Sequence, residues 1–246
     1  MAQQMMKSNN QIFLNLYKEL ESYLARTYPY AESPIKEHYH FLEKSPLEGA
    51  RERADTLDIL RILRNNLAHR NVDNLFEVSE DSIEFLRKEI EIVKDPLQAS
   101  DIMIPLNGLY YAKFDTPLVE VIKTMYEKSY SHVPILDDEN CVAGIFSNNA
   151  LLTLAYKKGE IELKKEEKIK DYKFLIDLNF QKGEKFVFER LKTPIDEIIN
   201  LLANKKSKDK IYMIFVTQSG LKNEPLLGFI TPWDIINKKR ETDNDK

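Results

Sequence analysis

Two short stretches of this chain carry residue types whose spacing could support chemistry. The first is Arg64-Asn65-Asn66-Leu67-Ala68-His69, followed by Arg70 and Asn71, which gathers guanidinium, amide and imidazole groups at what reads as a helix end. An arginine can hold a phosphate through two N–H groups, and a histidine titrating near neutrality can move a proton. Asn65 and His69 are four apart and share a helical face. Arg64 and His69 are separated by about 140° around an α-helix, so one helix does not easily aim both at one atom, whereas two copies across a dimer axis would. The alternative is structural: cations near a helix C-terminus complement its dipole.

The second stretch is Gly228-Phe229-Ile230-Thr231-Pro232-Trp233-Asp234. A short apolar strand, Leu226 to Ile230, is predicted to turn into a helix with Thr231 as N-cap, Pro232 at the first position and Asp234 in the first turn. Free backbone N–H groups, a hydroxyl and a partial positive field suit a phosphate, and the carboxylate one turn on can accept hydrogen bonds from sugar hydroxyls. The bland reading is a well-capped helix. No other constellation competes. His38 and His40 lie two apart, the wrong spacing for one helical face, so no metal site is expected. No glycine-rich phosphate loop, Ser/His/Asp set or carboxylate pair stands out.

The elements that must position these groups fall into two halves. Up to about residue 95 the apolar spacing is helical. Ile12, Leu16, Leu20 and Leu24, widened by Phe13, Tyr17 and Tyr23, predict one helix, and Ile35, Tyr39, Phe41 and Leu42 a shorter one ending at Ser45-Pro46. A third runs from about Gly49 to His69 with Leu57, Leu60, Leu63, Leu67 and Ala68 inward. A fourth, Ser82 to Val93, stops at Asp95-Pro96. Four such helices can close a bundle.

From Pro96 onward one unit is written twice. Strand Leu109 to Phe114, a helix opening at Thr116-Pro117, strand His132 to Asp137, strand Cys141 to Phe146 and a helix from Ser147 make the first copy. Strand Lys185 to Leu191, a helix at Thr193-Pro194, strand Ile211 to Val216, strand Leu226 to Ile230 and a helix from Thr231 make the second. Ile135-Leu136-Asp137 matches Phe215-Val216-Thr217, and Gly144-Ile145-Phe146-Ser147 matches Gly228-Phe229-Ile230-Thr231. An ordered series of matches marks an internal repeat. The segment Lys164 to Gly183 is long for a join, Glu160 to Lys170 reads as a solvated charged helix, and Lys205, Lys206, Lys208 and Lys210 form a basic loop near the second copy.

The doubled unit resembles a tandem pair of CBS domains, the βαββα module named after cystathionine β-synthase, also called a Bateman module. The resemblance rests on Ala99-Ser100-Asp101-Ile102-Met103, on Ser131-His132-Val133-Pro134-Ile135-Leu136-Asp137 and on the two Gly-x-x-Thr/Ser units. It implies an α+β chain in which a helical bundle (1–95) precedes two βαββα units (96–165 and 166–246) related by pseudo-twofold symmetry. It also implies two clefts for adenosine-containing ligands: AMP, ADP, ATP, S-adenosylmethionine or cyclic di-AMP. In the family pattern the threonine meets phosphate and the aspartate holds the ribose, which carries over to Thr231 and Asp234. Tyr212 and Met213, aligned with His132 and Val133, would border the base. In the first copy Ser147 keeps the hydroxyl but Ala150 stands where the aspartate would be. Loss of a charged acceptor costs about 1.5–3 kcal/mol, roughly ten- to a hundredfold in affinity, so the second cleft is expected to be the better site.

The Arg64-Asn65-x-x-x-His69 stretch resembles the motif of the HEPN superfamily, helical domains that often act as dimeric endoribonucleases and otherwise bind without cleaving. That resemblance implies Arg64, Asn65 and His69 as catalytic residues, or else a non-catalytic dimerisation or partner-binding module. The resulting expectation is an adenine-nucleotide-sensing regulatory homodimer, with a protein partner or, in the alternative, ligand-gated cleavage of RNA.

Composition is compatible with this. The chain has 246 residues, 43% hydrophobic and 31% charged, with a formal net charge of −4, so no global basic field recruits nucleic acid. Its single cysteine, Cys141, allows no internal disulfide and no cysteine-based zinc cluster. No apolar run approaches membrane-spanning length, and the chain is expected to be cytoplasmic.

Overall fold

The computed structural model describes residues 8–47, 49–69, 76–158, 164, 166–179, 181, 183–203 and 210–235, without the side chains of His69 and Lys158. Arg70, Asn71, the basic loop at Lys205, Lys206 and Lys208, and much of the charged stretch 160–170 lie outside the described residues. The chain divides into two compact units that part between Leu97 and Gln98.

The first unit is a set of four helices, α1 (Asn9–Thr27), α2 (Pro34–Lys44), α3 (Ala50–His69) and α4 (Glu80–Lys94). Ser8 and Ser79 start α1 and α4 by accepting the N–H groups of Gln11 and Ser82, and Pro34 opens α2 where a missing N–H costs nothing. The buried stripe of α1 is Phe13, Tyr17, Leu20 and Leu24, so Ile12 and Leu16 flank the core instead of filling it. It packs on Leu57, Leu60 and Leu67 of α3 and Ile83, Leu86 and Ile90 of α4. Ala68, expected inside, is exposed. One charged residue enters this core. Glu89 on α4 is 1% exposed, and Arg53 grips its carboxylate with Nε at 2.9 Å and Nη2 at 2.7 Å, while His38 Nε2 lies at 2.9 Å. Burial would raise the Glu89 pKa, but the hydrogen bonds from His38 and Arg53 outweigh it and hold the group below the ordinary carboxylate range.

The second unit repeats one order of elements. The first repeat comprises β2 (Ala112–Lys113), α6 (Leu118–Lys128), β3 (His132–Leu136), β4 (Val142–Ser147) and α7 (Asn148–Lys158). The second comprises β5 (Glu184–Arg190), α9 (Ile195–Ala203), β6 (Lys210–Thr217), β7 (Gly228–Ile230) and a helical turn at 232–235. In each repeat the first strand runs parallel to the second and the third antiparallel to it. Val133 and Ile135 of β3 pack under α6 and α7. Leu136, Val142 and Ile145 meet Met213, Phe215 and Leu226, so the two repeats share a core.

The long join between repeats has a specific use. A short helix, α5 (Ala99–Ile102), and strand β1 (Ile104–Pro105) lead into the first repeat. The segment 168–176, ending in α8 (Lys173–Ile176), leads into the second. Both lead-ins begin alike: the Gln98 N–H donates to Asp101 Oδ2 at 2.8 Å, and the Lys168 N–H to Asp171 Oδ2 at 2.9 Å. They are exchanged between repeats. Ala99 and Ser100 donate to the carbonyls of Thr193 and Leu191, while Ile169 and Lys170 donate to those of Thr116 and Phe114. The strand β1 then adds to β7, pairing Ile104 with Phe229. This crossing explains the two glycines of the repeated motif: a Cβ on Gly228 would overlap the Ile104 carbonyl oxygen, and one on Gly144 the Ile176 carbonyl oxygen.

Candidate functional site

The strand ending at Ile230 delivers Thr231 to the start of a helical turn, and Asp234 folds back over it. Asp234 Oδ2 accepts from the Thr231 N–H at 2.6 Å and from the Thr231 hydroxyl at 2.7 Å. Both residues are half-buried, and the pair is braced by its own capping geometry. Trp233 between them is 69% exposed. Because Gly228 lets the first lead-in cross closely, Met103 and Ile104 stand next to this strand.

The corresponding place in the first repeat is sealed. Ser147 is fully buried, and its hydroxyl donates to Gln181 Oε1 at 2.9 Å while accepting the Ala150 N–H at 3.2 Å. Gln181 is itself tied to the Leu175 carbonyl at 2.8 Å. The serine therefore caps α7 and joins the repeats, with its one proton already used. Beside it, Asn149 Nδ2 donates to Glu184 Oε1 at 2.7 Å, and His132 Nε2 lies 3.3 Å from the same oxygen. His132 and Glu184 side chains are only 8% and 7% exposed. The Ser131 hydroxyl lies 2.7 Å from His132 Nδ1. Burial pushes the His132 pKa down, with the Glu184 carboxylate opposing.

The strand registers refine how the repeats superpose. Ile135 pairs with Gly144, and Val216 with Gly228, so Ile135 corresponds to Val216 and His132 to Met213. This shifts the alignment read from sequence by one residue, which exchanges strand faces. A bulge lies just before the matched stretch: Lys185 pairs with Ile211 and Phe186 with Met213, leaving Tyr212 as the extra residue. Tyr212 is turned outward, 41% exposed, with its ring 5.2 Å from that of His132. Met213 is 4% exposed in the core between the repeats. The structure thus brings Thr231 and Asp234 together, sets the Tyr212 ring beside that of His132, and puts Met213 under the surface.

Asn149, Gln181 and Glu184 were not singled out by sequence reasoning. Asn149 could have been, since it stands two residues past the hydroxyl as Trp233 does. Glu184 and Gln181 offer no such signal because their partners are 35 and 34 residues away.

In the first unit, Arg64 is occupied. Its Nη2 lies 3.4 Å from Glu21 Oε2, its Nη1 donates to Asn65 Oδ1 at 3.2 Å, and the guanidinium sits 5.7 Å from the Tyr17 ring centre. The Tyr17 pKa is raised, chiefly by burial and then by Glu21. The His69 side chain lies outside the described set. Among the described residues no cluster of three or more metal-binding side chains occurs, and no helix is long and apolar enough to cross a membrane.

Residues 99–156 match the CBS domain family. No curated protein matches the chain. Similar solved structures include CBSX2 in complex with AMP, at 19% identity and a TM-score of 0.43 over 59% of this chain and 98% of that one. A conserved domain of unknown function from Neisseria meningitidis aligns at 17% identity and 0.43 over 74% and 99% of the two chains. An uncharacterized conserved protein from Pyrococcus horikoshii aligns at 17% and 0.42 over 59% and 94%. The family match on the first repeat and the second copy of its strand and helix order together establish the fold: residues 99–156 are a CBS domain, within a unit that has the fold of a CBS pair.

Proposed function

We propose that the protein is a regulatory sensor that binds an adenine nucleotide in the second cleft, through Thr231 and Asp234. The observation that carries this reading is the contrast between the two hydroxyls. Both hydroxyls already donate, but Thr231 is half-buried and donates to a carboxylate that retains a second oxygen for a ribose, whereas Ser147 is fully buried and donates to Gln181. Beside Ser147, the Asn149, Glu184 and His132 side chains are already drawn against one another. One strong site per chain follows. AMP, ADP or ATP is the preferred ligand class, with S-adenosylmethionine and cyclic di-AMP sharing the adenosine part.

The helical unit supplies the output as a dimerisation or partner-binding module. Arg64, held by Glu21, Asn65 and the Tyr17 ring, has a structural use that requires no substrate. A ligand can drive such an output only through different affinities for two arrangements of the chain.

Isothermal titration calorimetry with AMP, ADP, ATP, S-adenosylmethionine and cyclic di-AMP tests the sensor directly. At least one is expected to bind at about one per chain, with Asp234→Ala weakening it roughly tenfold or more, the size expected for a lost charged hydrogen-bond acceptor. Equal affinity in Asp234→Ala overturns the site, and no binding by any of the five overturns the function.

A further inference from the structure

Trp233 is the one tryptophan of the chain, and it stands between the two proposed ligand contacts with its indole 69% exposed. Burying a large apolar side chain is favourable, and this residue largely forgoes that gain, so packing does not explain its presence. Its counterpart shows where the position points. Two residues past the capping hydroxyl of the first repeat is Asn149, whose amide donates from α7 to Glu184, the opening residue of the second repeat's first strand. There the space is taken up by Asn149, Glu184 and His132, the last two under one-tenth exposed. In the second repeat the same backbone position carries an indole that no ring or cation contact engages among the described residues.

We infer that Trp233 is the wall on which the planar base of the second-cleft ligand stacks. The inference rests on the proposed function and adds the residue that recognises the base. Thr231 and Asp234 offer a hydroxyl and a carboxylate, which suit phosphate and ribose and cannot tell a nucleotide from a sugar phosphate. An exposed indole offers a flat π-face, and base–aromatic stacking needs no hydrogen-bond readout. The side chain loses little rotamer freedom on binding because it has two side-chain torsions.

The test uses the full chain and two probes, AMP and ribose 5-phosphate, which differ only in the base. Since Trp233 is the sole tryptophan, its emission reports the contact without a label. AMP is expected to change that emission and ribose 5-phosphate to leave it unchanged. By calorimetry, Trp233→Leu should weaken AMP roughly tenfold, the order measured for loss of one stacked base, while Trp233→Phe retains most of the affinity. Ribose 5-phosphate should bind wild type and Trp233→Leu alike. If AMP binds in an Asp234-dependent way but Trp233→Leu binds it as tightly as wild type, the inference is overturned and the sensor reading stands. An equal loss for AMP and ribose 5-phosphate also overturns it, because the effect would then not lie in the base. If none of the adenosine compounds binds wild type, the sensor reading fails and takes the inference with it.

Discussion

Replacing Glu89 with glutamine tests how a charge is kept inside the helical unit. The wild-type carboxylate is 1% exposed and receives Arg53 at 2.9 and 2.7 Å and His38 at 2.9 Å. Glutamine keeps the shape but loses the charge, and it turns an NH2 group toward donors. Removing one partner of a buried ion pair costs about 3–5 kcal/mol. The Arg53 side chain is 23% exposed and regains some hydration, so the lower end applies, about 3 kcal/mol. For a unit of this size that corresponds to a melting shift of roughly 10 °C or more. The pH dependence follows from the lowered pKa of Glu89. A carboxylate whose folded value lies below its unfolded value, about 4.3, contributes fully above that pH, and the contribution disappears as pH falls through the folded value. The gap between wild type and Glu89→Gln is therefore widest near neutrality and closes in acid. Urea unfolding followed by far-UV circular dichroism, at neutral pH and at about pH 3, measures both. A neutral-pH gap under about 1 kcal/mol, or one that persists unchanged in acid, refutes the argument.

Two further outcomes follow from the first cleft. Ser147→Ala removes a fully buried hydroxyl that caps α7 and satisfies Gln181, so urea unfolding should show a loss of about 1–2 kcal/mol, with AMP affinity unchanged by calorimetry. A tenfold loss of AMP affinity would instead place the ligand in the first cleft. Because burial lowers the His132 pKa, the unfolded chain binds this proton more readily. Stability should then fall as pH drops below the ordinary imidazole value of about 6.5, until the folded value is reached, and melting curves of His132→Asn should lack that component. Parallel melting-versus-pH curves for the two proteins would contradict it.

Both the helices and the doubled unit were legible because each leaves a periodic signal. Apolar spacing near 3.6 marks α1 to α4, and runs such as Ile211 to Val216 mark strands. What was misread turned on features without period. The stripe of α1 is rotated toward Phe13 and Tyr17 because both neighbours of the apolar line are themselves apolar. The repeat alignment slipped by one residue because Phe215 and Val216 are both apolar strand residues, and only their pairing against Gly228 shows which one answers to Ile135. The segment before the second repeat looked like an overlong join because its partners, Thr116 and Phe114, lie more than fifty residues earlier.

By itself, the order of residues determined the helical first half, the duplicated second half, and Thr231 and Asp234 as a capped pair, since each depends on neighbours within a turn or strand. Tertiary structure decided which of the two hydroxyls is buried. Ser147 and Thr231 occupy matching positions in matching motifs, and the local difference, Ala150 in place of an aspartate, does not say that Ser147 is sealed. Their fates differ because Gln181, 34 residues away, is brought onto Ser147 by the exchanged lead-in, whereas among the described residues the Thr231 hydroxyl is bonded to its own Asp234. Burial of a polar group is set by what the rest of the chain brings against it, and that is a property of the fold.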